Sequence, residues 1–100
     1  MSLRTERIAD LIRNELASLI LRDIRDPRVA LATISRVEVS RDFSHANVRV
    51  SVIGTDEERD EALRGFESAR GFLRRELAQR LSLRITPELR FFLDRGPEHS

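Results

Sequence analysis

The stretch Ala-Leu-Arg-Gly-Phe-Glu-Ser-Ala-Arg-Gly-Phe-Leu-Arg-Arg-Glu-Leu-Ala-Gln-Arg-Leu, residues 62–81, decides how this 100-residue chain is built. Leu63, Phe66, Leu73, Leu77 and Leu81 recur at the three- and four-residue spacings of a helix face. If the stretch were one continuous helix, Arg70 would lie at the centre of that stripe and Phe72 almost opposite it. Burying an unpaired guanidinium costs several kcal/mol. A break at Ala69-Arg70-Gly71 removes the conflict, and Gly71 supplies the backbone freedom for it. The spacing therefore predicts two helices meeting at that point. The first begins after Thr55, which forms a capping box with Glu58. Asp56, Glu57 and Glu58 there also suit the positive end of the helix dipole.

Upstream, residues 3–24 read as a long amphipathic helix. Ile8, Leu11, Ile12, Leu16, Leu19 and Ile20 form its apolar stripe, with Asp10, Arg13, Asn14 and Ala17 opposite. Glu15 falls at the edge of the stripe, and the pattern gives no reason for it. Asp26-Pro27 ends the helix, because the residue before proline avoids helical backbone. Residues 29–40 are rich in β-branched types, and Val37 and Val39 alternate with Arg36, Glu38 and Ser40. Residues 46–53 alternate cleanly between Ala46, Val48, Val50, Val52 and Asn47, Arg49, Ser51. A polar connection centred on Asp42 makes these two strands an antiparallel hairpin. After Pro87, Leu89 to Leu93 reads as a last strand. The expected order is α-β-β-α-α-β in an α+β domain, with a three-stranded sheet and helices packed on one face. That domain spans 1–94, and residues 95–100 form a polar tail.

Composition narrows the chemistry. The chain has 18 basic residues, all of them Arg, against 17 acidic ones, for a net charge of +1. It has no Cys, so disulfides, thiolate metal sites and cysteine nucleophiles are excluded. No run approaches the ~20 apolar residues of a membrane span, and a soluble, cytoplasmic domain is expected. His45 and His99 are isolated from each other and from clustered ligands. Ser44 and His45 are adjacent, so on an extended segment they face opposite ways. The acidic run 56–61 lacks the glycine and spacing of a calcium loop. No glycine-rich phosphate loop is present. No catalytic residue, metal, cofactor or small-molecule substrate is therefore expected. Charge location says more than net charge. Residues 62–84 hold Arg64, Arg70, Arg74, Arg75, Arg80 and Arg84 against Glu67 and Glu76, whereas residues 56–61 carry a net −4. The arginine cluster reads either as a phosphate-binding face or as a solvated helix face with local ion pairs.

The order α-β-β-α-α-β is that of a type II KH domain. Such domains normally clamp nucleic acid with a G-x-x-G loop at the helix junction. Here that place holds Ser68-Ala69-Arg70-Gly71, and no G-x-x-G occurs anywhere. Four segments, in order, resemble the ribosome-binding factor A family. They are Asp23-Ile24-Arg25-Asp26-Pro27-Arg28, Val37-Glu38-Val39-Ser40-Arg41-Asp42 with Ser44-His45-Ala46, Ser68-Ala69-Arg70-Gly71-Phe72-Leu73-Arg74, and Pro87-Glu88-Leu89-Arg90-Phe91 with Leu93-Asp94. The resemblance implies a KH-like type II fold with a kinked helix pair at Ala69-Arg70-Gly71. It implies a non-enzymatic monomer that binds the free small ribosomal subunit and its rRNA. It further implies support of late subunit maturation, of rRNA 5′-end processing and of growth in the cold. On this reading Gly71 sets the helix angle, and Arg70, Arg74, Arg75 and Arg80 meet rRNA phosphates with Arg84 as a flank. Arg41 and His45 form a second, smaller contact. The alternative is a KH-like module that docks a ribosomal protein instead of RNA.

Overall fold

The computed structural model describes residues 3–94. Helix α1 spans Leu3–Arg22, and a 3-10 turn follows at Pro27–Val29. Strands β1 (Ala32–Val39) and β2 (His45–Val52) precede helix α2 (Asp56–Leu81), and strand β3 (Glu88–Leu93) comes last. The expected tail, residues 95–100, lies outside the described residues.

β1 and β2 form the expected antiparallel hairpin, with Val37 opposite Val48 and Val39 opposite Ala46. β3 joins the other edge of β2 in parallel, giving the sheet order β1-β2-β3. A parallel partner needs a long crossover, and α2 supplies it. The register of β1 slips between Ile34 and Arg36. This bulge puts Ile34 and Val37, three residues apart, on the same core-facing side. The expected strand started at residue 29, but β1 starts at Ala32. The Asp26 carboxylate accepts hydrogen bonds from the Arg28 backbone N–H and guanidinium, which winds residues 27–29 into the 3-10 turn instead.

Both helices lie on one face of the sheet. Ile12, Leu16 and Leu19 from α1 meet Phe66, Leu73 and Leu77 from α2, over Val48, Val50 and Leu89 of the sheet. Each such fully buried side chain contributes about 1.5–3 kcal/mol. The Phe66 and Phe91 rings stack with centroids 5.2 Å apart. In α1 the buried row is Thr5, Ala9, Ile12, Leu16 and Leu19, so Leu11, expected in the stripe, is exposed. Glu15 finds its reason across the helix interface, where its carboxylate lies 3.4 Å from Arg80.

The helix junction is the main correction. α2 runs without interruption from Asp56 to Leu81, so the two expected helices are one element. The conflict that called for a break does not arise, because the apolar stripe has a different centre. Its buried row is Ala62, Gly65, Phe66, Leu73 and Leu77, with Ala69 half-buried between Phe66 and Leu73. At 3.6 residues per turn, Arg70 lies roughly 70° from that row. It is exposed and pairs with Glu67 at 3.0 Å. Small residues were part of the stripe, and large ones alone misplace its centre. Gly65 shows why small residues are there. A Cβ at this position would come within 2.9 Å of Val29 Cγ1, so the helix can lie against the 3-10 turn only as glycine.

Candidate nucleic-acid interface

A groove of about 270 Å³ separates the second half of α2 from β3. Its walls are Arg70, Gly71 and Arg74 from the helix and Glu88, Leu89 and Arg90 from the strand. The helix contributes this side because Arg70 and Arg74 lie on the flank of its buried row, with Gly71 beyond them on the solvent side. The strand contributes because Leu89 and Phe91 point to the core, which turns Glu88 and Arg90 outward. Gly71 is exposed, and a Cβ built there would touch only Arg75 Nη1, at 3.8 Å. The Arg75 guanidinium therefore lies beside Gly71, at the margin of the groove.

The arginines differ in what already holds them. Arg74 donates to the carbonyls of Thr86 at 2.9 Å and Pro87 at 3.3 Å, fixing the loop between α2 and β3. Arg70 shares its charge with Glu67. Arg75 and Arg90 have no ion-pair partner among the described residues, so both guanidinium groups are available in full. Arg80 is occupied elsewhere. It bridges Glu15 of α1 at 3.4 Å and Glu76 of its own helix at 3.4 Å, with Asp23 at 3.9 Å. Its structural role is to brace the two helices.

The remaining expected residues fall around this groove. His45 lies 3.9 Å from Glu88, and its Nδ1 is 2.9 Å from Ser44 Oγ. Arg41 is exposed in the hairpin turn. Asp42 organises that turn, accepting from Ser44 Oγ at 2.7 Å, Ser44 N at 3.0 Å and Ser40 Oγ at 2.8 Å. These bonds, those from Ser44 foremost, pull its carboxyl down to about 2. Arg84 lines a separate groove with Arg4, Ile8, Phe43 and Ile85. The Arg4 guanidinium sits over the Phe43 ring there, 5.5 Å from its centroid.

Arg70, Arg74 and Arg75 are thus brought together with Gly71, and His45 reaches the same groove through Glu88. Arg84 and Arg41 are not in it. Arg90 was missed as a candidate. The alternation Glu88-Leu89-Arg90-Phe91 already marks it as outward-facing. Only the sheet order, with β3 as the edge strand bordering α2, shows that it reaches the groove. The arrangement presents four guanidinium groups around a backbone position without a side chain. Such a groove can hold a run of phosphates. Among the described residues no three potential metal-ligating side chains cluster together. No helix among them is long and apolar enough to cross a membrane.

Residues 4–100 match the family model of ribosome-binding factor A. The chain is 46% identical over 99 residues to ribosome-binding factor A of Thermomicrobium roseum, covering 99% of this chain and 77% of that one. It is 50% identical over 97 residues to the Synechococcus protein of that name, covering 95% and 69%. The crystal structure of ribosome-binding factor A from Thermus thermophilus superposes with a TM-score of 0.79 at 30% identity, covering 89% of this chain and 94% of that one. A homology model of the Thermus thermophilus factor, fitted into the cryo-EM map of a 30S complex, gives a TM-score of 0.73 at 32% identity, with 88% and 93% covered. In sequence and in its α+β, KH-like fold, the chain belongs to the ribosome-binding factor A family.

Proposed function

We propose that this protein binds the free small ribosomal subunit and holds its rRNA in the groove between α2 and β3. The observation that carries this reading is the convergence of Arg70, Arg74, Arg75 and Arg90 around Gly71. The fitted 30S complex of the Thermus thermophilus relative supports the choice of partner. Arg75 and Arg90 meet phosphates with unspent charge, Arg74 both contacts RNA and ties down the loop, and Arg70 shares its charge with Glu67. Gly71 lets the RNA backbone approach the helix closely. Arg84, Arg41 and His45 add contacts at the periphery. The protein acts by binding in the cytoplasm, as a monomer, and supports late subunit maturation, rRNA 5′-end processing and growth in the cold. The cleavage itself is left to other enzymes.

Co-sedimentation through a sucrose gradient tests this. The wild type is expected with free small subunits and not with whole ribosomes. The Arg75→Glu/Arg90→Glu variant should keep its fold, since neither side chain is paired, and should lose both rRNA crosslinks and co-sedimentation. Retained co-sedimentation by the folded variant contradicts the groove as the RNA site and favours a protein-docking role.

A further inference from the structure

One face of the sheet is left uncovered by α1 and α2. Across it, two rows run through all three strands. The first is Arg36, Arg49 and Phe92, and the second is Glu38, Asn47 and Arg90. Phe92 stands out on this polar face. It is 41% exposed, whereas Phe66 and Phe91 are buried in the core. Arg49 lies over its ring, 5.8 Å from the centroid. The acids of the face are engaged. Glu38 lies 3.6 Å from both Arg36 and Arg49, and Glu88 lies 3.9 Å from His45. Arg90 connects the two surfaces, since it lines the groove and shares the open face with Phe92. Residues two apart on a strand are separated by roughly 7 Å, a step comparable to one nucleotide of an extended strand.

We propose that the open sheet face is a stacking platform for single-stranded RNA, on which an unpaired base leaving the α2–β3 groove stacks against Phe92 and the Arg49 guanidinium. The inference rests on the RNA reading of that groove and extends it. Unstacked bases are held on aromatic rings and arginine planes, and this face offers one of each in contact. Arg90 offers an unpaired charge to the strand, and Arg36 and Arg49 share one acid, Glu38, between them. A protein partner would instead favour a broader apolar patch, and Phe92 is the one large apolar side chain in these two rows. The platform prefers an unpaired strand, because the bases of a duplex are already stacked on each other.

The test uses the full chain and a short oligouridylate RNA carrying one 2-aminopurine, with the same strand annealed into a duplex for comparison. Wild type should bind the single strand and quench the 2-aminopurine fluorescence. Phe92→Ala should weaken single-strand binding about tenfold and abolish the quench, while Phe92→Tyr should retain both. Duplex binding should change little in either variant, and both should unfold at the wild-type temperature. Equal single-strand affinity and quench for wild type and Phe92→Ala, with Arg75→Glu still weakening binding, overturn the platform and leave the groove standing. No single-strand binding by wild type overturns both. Loss of small-subunit binding by Phe92→Ala with unchanged RNA binding overturns the platform and assigns the face to a protein.

Discussion

Two glycines on α2 do opposite work. At Gly65 the missing side chain lets the helix lie against Val29, which is 97% removed from solvent and has little room to move. Gly65→Ala gains about 1 kcal/mol of helix propensity but meets overpacking of about 1–3 kcal/mol. Thermal unfolding should show a net loss of about 1 kcal/mol, and a gain would contradict the close approach. At Gly71 the space is open, so a side chain is tolerated by the fold. Gly71→Leu should leave the unfolding temperature unchanged or raise it, yet narrow the groove and weaken small-subunit binding about tenfold, which is about 1.4 kcal/mol. Unchanged binding would contradict the close approach of RNA. Asp42 supplies a pH signature. Its carboxyl is held at about 2 in the fold, below the ordinary value of about 4. The ionised form is therefore the one that folding favours. Its contribution is complete above pH of about 4 and is lost as pH falls towards about 2. An NMR titration of the Ser44 amide should show the turn intact at the upper end of that window and loosened at the lower.

The elements were legible to different degrees. The two-residue alternation of Ala46, Val48, Val50 and Val52 places β2 directly, and the Thr55–Glu58 capping box marks the start of α2, where both of its hydrogen bonds form. The bulge in β1 is invisible in that alternation, since it depends on pairing with β2. The continuity of α2 was misread because Ala62, Gly65 and Ala69 carry little apolar bulk, so counting only large side chains rotated the stripe towards Arg70. Amide hydrogen exchange distinguishes the two arrangements. In an unbroken helix the amides of Arg70 and Gly71 are protected to a degree comparable with Leu73, whereas a break there makes them exchange like loop amides. The role of Arg80 was hidden for a related reason. Its partner Glu15 is 65 residues away in sequence, so only the packed helices reveal the brace.

For the whole molecule, a net charge of +1 conceals a division of labour. The acids at the start of α2 serve its cap and dipole, and Arg80 is spent on holding the helices together. Where α2 meets β3, Arg75 and Arg90 have no ion pair among the described residues and stand with Arg70 and Arg74, while Arg84 and Arg41 lie away from the groove. The sequence shows the cluster on α2 but not its division into braces and free cations, because that depends on which carboxylates tertiary packing brings near. The contribution of Arg90 depends likewise on sheet topology. If about four phosphates are neutralised, affinity must fall steeply with salt, since each contact releases condensed counterions. The most direct measurement is the affinity for free small subunits across a salt series. A plot of log K against log salt should have a slope of roughly −3 to −4, reduced by about one in Arg75→Glu. An affinity that does not change with salt would contradict the account.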